Sequence, residues 1–251
     1  MQDFAYRLKI RDSLVTDPTL WFWTPAFQEV ISWLRRNCNP GSAVLDVGCG
    51  PGLFMHALRR SGFEAVGVDV GEAAVNLNRR DGFRVWHGPV ETLPADWVHP
   101  KAVVCLFVLH HLVDPVGTLR CLRILFPEAF LAIAQYGPSN FDLERTTPPR
   151  TLSRWNKQSL ETALAACNYD AKVLEINSLG TESAIMKPFM HARQKLGLSP
   201  KGYRLTKNVE RYILPLLLAP FQRQAFVLLA LAQPTRSPQP HRESTSAMRK
   251  T

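Results

Sequence analysis

Residues 45–52 read LDVGCGPG, and the run that enters them, 42–47, reads SAVLDV. That run is short, apolar and rich in β-branched residues, as a buried strand requires. Three glycines at 48, 50 and 52 then force a tight turn. LFMHALRRSG follows with its apolar residues at helical spacing, closed by Gly62. A strand, a glycine turn and a helix in this order form a cradle for a ligand at the carboxyl end of a parallel strand.

The residues of the turn narrow the ligand. Gly48 and Gly50 fit the dinucleotide pattern GxGxxG, but Leu53 stands where its third glycine belongs. Pro51 has no N–H to offer a phosphate. Asp46, two residues before the first glycine, repels phosphate and attracts a cation. No GKS or GKT follows, which excludes a Walker A loop. S-adenosylmethionine (SAM) fits this turn, because it carries an ammonium and a sulfonium and no phosphate. Asp69 ends the next apolar run, VGVDV, 19 residues beyond Gly50. An acidic residue at that place can accept hydrogen bonds from both ribose hydroxyls.

Working outward, the chain alternates. EAVGVDV, FRVWHG, KAVVCLFVL, AFLAIAQY and YDAKVLEI read as strands, and QAFVLLALA (224–232) as a seventh. Between them EAAVNLNRRDG, VGTLRCLRILF and KQSLETALAACN have helical periodicity, with Asp114-Pro115 and Asn156 as starts. Thr24-Pro25 opens an earlier helix with Phe27, Val30, Ile31 and Leu34 on one face, and NCNPG closes it. Strands this apolar, separated by helices, predict a parallel sheet covered on both faces, an α/β doubly wound fold. The stretch 137–155 is polar and rich in proline, and 235–251 reads as a disordered basic tail.

VLDVGCGPG, then GVDV, then FVLHHLVDP together resemble the class I SAM-dependent methyltransferases, in particular the groups acting on small molecules and lipids. The resemblance runs from about residue 24 to residue 232. It implies a Rossmann-like, seven-stranded sheet of order 3-2-1-4-5-7-6 with strand 7 antiparallel. It also implies roles. Asp46, Gly48, Cys49 and Gly50 would meet the methionine part of SAM. Asp69 would take the ribose and Val70 would pack on the adenine. Where the family often has an aspartate for the adenine amino group this chain has Pro89, which leaves Val90 and Glu91 for that end. Leu106 and Phe107 would approach the methyl end.

His110 and His111, after the fourth strand, are the candidate bases if the acceptor must lose a proton. The bland alternative is that one packs on the sheet and the other caps a loop. Tyr136 and Tyr6 are weaker candidates of the same kind. Cys49 is read as a packed thiol, not a nucleophile. Trp21, Phe22, Trp23 and Phe27 form an aromatic cluster that reads as core, or as cover for the site.

Charge divides the chain. Residues 1–181 hold 18 Lys and Arg against 18 Asp and Glu, whereas 182–251 hold 12 against 3, so the formal net charge of +9 lies wholly in the second part. There Lys187, Arg193, Lys195, Lys201, Arg204, Lys207 and Arg211 precede YILPLLLAPF. That apolar run falls short of the ~20 residues needed to span a bilayer. It suits a substrate cap, or contact with an anionic membrane surface. The expected organisation is therefore an N-terminal lid or helical segment (1–40), a methyltransferase domain (41–234) with a helical insertion between strands 6 and 7 (182–221), and the tail. Five scattered cysteines show neither a CxxC pair nor metal spacing, and no secretory leader is visible, which favours reduced thiols in a cytoplasmic protein.

The leading function is methyl transfer from SAM to a small-molecule or lipid-like acceptor. One alternative is a tRNA or RNA methyltransferase whose basic end tracks phosphates. It lacks both an RNA-binding module and an NPPY or DPPY motif after strand 4, where FVLH stands. The other is a SAM-binding protein without catalysis.

Overall fold

The computed structural model describes residues 8, 11–12, 25–137, 148, 151–177 and 226–235. Within them the chain runs α1 (Pro25–Asn37), β1 (Ala43–Val47), α2 (Leu53–Arg60), β2 (Glu64–Asp69), α3 (Glu72–Arg80), β3 (Arg84–His87), β4 (Ala102–Leu106), α4 (Pro115–Leu125), β5 (Phe130–Tyr136), α5 (Lys157–Ala166), β6 (Tyr169–Asn177) and β7 (Phe226–Pro234). Short 3-10 turns lie at Val90–Thr92 and Leu109–His111. The seven strands form one sheet of order β3-β2-β1-β4-β5-β7-β6. The first five are parallel, and β7 runs antiparallel to both β5 and β6.

Alternation along β5 shows how the sheet is buried on both faces. Leu131 and Ile133 face a core shared with Leu119 and Leu122 of α4 and Leu160 and Leu164 of α5. Ala132 and Ala134 face the opposite core, with Val30 and Leu34 of α1 and Phe54 and Leu58 of α2. Two helix starts are fixed by side chains. Asp114 accepts from the Gly117 N–H at 2.8 Å, with Pro115 just inside the helix. Asn156 and Ser159 form a reciprocal capping box.

The strand order reverses between β1 and β4, and the crevice at their carboxyl ends is where such sheets bind ligands. The glycine turn after β1 opens onto that crevice. Pro51 is buried in the turn itself, and α2 begins only at Leu53 behind Gly52. Thr24, Tyr6, Trp21, Phe22, Trp23, the stretch 182–221 and the tail 236–251 lie outside the described residues.

Candidate active site

The turn is held open by backbone geometry that only glycine supports. Gly48, Gly50 and Gly52 all have positive φ, at 69°, 51° and 81°. A Cβ on Gly48 would stand 2.5 Å from Val108 Cγ2, and one on Gly52 would stand 1.9 Å from Asn78 Oδ1. At Gly50 a Cβ would meet nothing within 4 Å, so this glycine faces open space. The Gly48 and Cys49 N–H groups donate to the Val68 carbonyl of β2 at 2.8 and 3.2 Å, which ties the turn to the neighbouring strand.

Asp69 completes the cradle. Its Oδ2 accepts from the Gly50 N–H at 2.8 Å, and its Oδ1 accepts from the Gly71 N–H at 2.7 Å. Each carboxylate oxygen keeps a further lone pair, so the group holds the loop and can still accept ribose hydroxyls. Val70, next in the chain, is 68% exposed and offers a bare apolar shelf.

Asp46 is 3% exposed. Burial, and then the nearby charge of Asp69, push its carboxyl well above the usual carboxylate range. Such a group ionises less readily than an exposed carboxylate, and a cation against it favours the charged form. Buried Asp46, half-buried Asp69 and the open side of Gly50 therefore fit a cationic, sugar-bearing ligand such as SAM, and disfavour a phosphate. Cys49 is buried, with its thiol raised by burial and then by Asp46 and Asp69. Its sulfur packs so tightly on β2 that a Cβ on Gly67 would lie 2.8 Å away. A neutral, enclosed thiol is no nucleophile.

The sequence reading missed Asn78. This fully buried α3 side chain donates through Nδ2 to the Gly50 carbonyl at 2.8 Å and lies 3.6 Å from Cys49 Sγ, pinning the turn from the far helix. The signal was available: Asn78 continues the buried face of Ala74 and Val75, where an amide is out of place. The residues proposed for the adenine end divide. Val90 is 4% exposed, with its side chain in the core. Glu91 Oε1 accepts from the Thr118 hydroxyl at 2.5 Å, tying the Val90–Thr92 turn to α4.

The other half of the crevice is aromatic. Leu106 ends β4, and Phe107 follows with φ of 60°, a strained conformation for a bulky residue. The Phe107 N–H donates to the Ala134 carbonyl at 2.7 Å. Its ring lies 4.6 Å from Tyr136 and 6.4 Å from Phe27, which contacts Phe54 at 4.9 Å, centroid to centroid. Phe27 thus belongs to core and site wall together. The Leu109–His111 turn places His110 and His111 side by side, 3.8 Å between ring centroids, with His110 5.8 Å from Tyr136. His110 is buried, and His111 is exposed. Gln135 Nε2 hydrogen-bonds His110 Nδ1, a contact the sequence reading also missed.

Sheet order, glycine turn and acidic strand end together define a Rossmann-like methyltransferase fold. The family described as "Methyltransferase domain" matches residues 22–171, more than half of the chain. The chain belongs to this family, the class I SAM-dependent methyltransferases. Among curated relatives, the ubiquinone biosynthesis O-methyltransferase of Hahella chejuensis is 30% identical over 149 residues, 53% of this chain and 63% of that one. The protein of the same name from Nitrosospira multiformis is 36% identical over 95 residues, 35% of this chain and 40% of that one. The chain therefore spans less than two thirds of the length of these relatives. Among solved structures, a SAM-dependent methyltransferase from Archaeoglobus fulgidus aligns over 82% of this chain and 94% of that one, with a TM-score of 0.52 and 19% identity. The [4+2]-cyclase SpnF aligns over 83% and 81%, with a TM-score of 0.56 and 16% identity. At these identities the structures speak for the fold alone.

Proposed function

We propose that this chain transfers a methyl group from SAM to a hydroxyl oxygen of a small-molecule or lipid-like acceptor. One observation carries the reading: donor cradle and aromatic-histidine wall open at the same carboxyl edge of the sheet, with Phe107 between them. The names of the relatives specify O-methylation and support an oxygen acceptor. Bound SAM supplies a methyl carbon already activated by its sulfonium.

The protein's part is then to bind, align and exclude water. Asp46, Gly48, Cys49 and Gly50 hold the methionine end, with the Asp46 carboxylate against the cation. Asp69 takes the ribose, Val70 supports the adenine, and Glu91 and the Val90 backbone border its far side. Leu106 and Phe107 face the methyl group. Phe107 and Tyr136 offer an apolar surface to the acceptor, and His110 and His111 meet its polar atoms. Residues 1–40 are read as a lid and 182–221 as an acceptor cap. The charge surplus beyond residue 181 supports contact with an anionic membrane surface.

A labelled-methyl transfer screen tests this, with cell extracts split into lipid, small-metabolite, RNA and protein fractions. Label is expected in the lipid or small-metabolite fraction. Label in RNA or protein would overturn the acceptor, and label in none would leave the fold in a non-transfer role of the kind the SpnF cyclase illustrates.

A further inference from the structure

Asn78 is a polar side chain on an apolar face. In α3 it follows Ala74 and Val75 on the buried side and is itself fully buried. Its Nδ2 donates to the Gly50 carbonyl at 2.8 Å and to Cys49 Sγ at 3.6 Å. Turned over, the amide would set Oδ1 against that carbonyl, acceptor against acceptor, so only the observed orientation makes the hydrogen bond. Oδ1 is buried with no hydrogen-bond partner among the described residues, and a Cβ on Gly52 would stand 1.9 Å from it. Packing alone does not ask for this residue. A leucine would continue the face of Ala74 and Val75 and leave no side-chain oxygen unpartnered.

The amide holds Gly50 in place. A glycine turns freely about both of its backbone bonds. On the N-terminal side, the Gly50 N–H donates to Asp69 Oδ2 at 2.8 Å, and the Cys49 carbonyl accepts from the Gly52 N–H at 3.0 Å. On the other side the peptide joins Pro51, which has no N–H, so the Gly50 carbonyl is the only polar handle on that peptide. Asn78 holds that handle. Both peptides of Gly50 are thus fixed, while its α-carbon faces open space.

We propose that Asn78 is a positioning residue for the methyl donor, acting through Gly50 and touching no ligand. The inference rests on the reading of this turn as the donor cradle. A turn ordered before binding lowers the ordering cost that binding must overcome. The brace acts on the turn and not on the methyl group. It therefore strengthens binding of SAM and of its product, S-adenosylhomocysteine, by the same factor.

Calorimetry on the full chain with each of these two compounds tests this without an acceptor. Asn78→Leu should weaken both about tenfold, the worth of one buried hydrogen bond. Amide-proton NMR of the ligand-free variant should show faster exchange at Gly50. Should Asn78→Leu fail to fold, Asn78→Ala removes the amide without adding bulk and gives the same comparison. If neither folds, Asn78 serves the fold and the proposal falls. A loss confined to one of the two compounds overturns it, as does unmoved exchange at Gly50. A wild type that binds both compounds, with variants that match it, refutes the proposal alone. A wild type that binds neither refutes the reading of the cradle and the proposal with it.

Discussion

At the scale of single residues, the donor half of the site rests on two acids with different tasks. Asp69 is a brace, since its oxygens accept the Gly50 and Gly71 N–H groups, and it is the ribose ligand we propose. Asp69→Ala removes both functions, and charge-assisted hydrogen bonds are worth ~1.5–3 kcal/mol each, so SAM affinity should fall at least tenfold in calorimetry. Unchanged affinity would remove the ribose assignment. Asp46 predicts a pH dependence. Its carboxyl in the ligand-free protein lies well above the usual range through burial and then Asp69, whereas a bound cation favours the ionised form. SAM binding should therefore release protons and weaken with acidification. Asp46→Asn should bind more weakly and lose that slope, read by calorimetry in buffers of different ionisation enthalpy. Both acids were legible in the sequence because each stands in the last two residues of an apolar strand, beside the turn that follows. Asn78 and Gln135 were not, because their partners, Gly50 and His110, are 28 and 25 residues away and close only through the fold.

At the scale of elements, every strand and helix read from periodicity between residues 25 and 177 is present. A parallel sheet buried on both faces makes apolar runs that alternate with amphipathic helices, and that rhythm is hard to misread. Ends were less legible. The last strand is Phe226–Pro234 where the apolar run suggested 224–232, because its limits follow from pairing with β5 and β6 and not from its own composition. Helix starts marked by local chemistry were readable, and Asn156 gives a test. Its side chain accepts from the Ser159 N–H at 2.7 Å, and Ser159 Oγ accepts from the Asn156 N–H at 2.9 Å. Asn156→Ala should destabilise the protein by about 1 kcal/mol in denaturant unfolding, and Asn156→Gly by only a few tenths.

At the scale of the whole molecule, Arg11 is tied to the domain by charge. Arg11 is buried and donates to Asp81, which also meets His56 Nε2 at 3.0 Å. Burial lowers the pKa of His56 and outweighs Asp81, so the folded protein binds fewer protons here than the unfolded chain does. Asp81 is raised by burial but lowered overall by hydrogen bonds from Arg11 and His56. Both shifts have one sign for stability: it is full above the ordinary histidine value near pH 6.5 and falls with acidification, first through His56 and then through Asp81. Urea unfolding between about pH 7 and about pH 5 should show that loss, and His56→Gln should flatten it. The pairing of β6 with β7 has a consequence for how such a chain can diversify. Asn177 is in register with Phe226, so the segment 178–225 leaves and re-enters the sheet at facing positions. Its ends are anchored whatever its length, and closing a longer loop costs only logarithmically more. The proposed donor cradle is built from β1, β2 and α3, at the other end of the strand order. This segment can therefore lengthen, shorten or be exchanged between relatives while the methyl-donor machinery stays as it is.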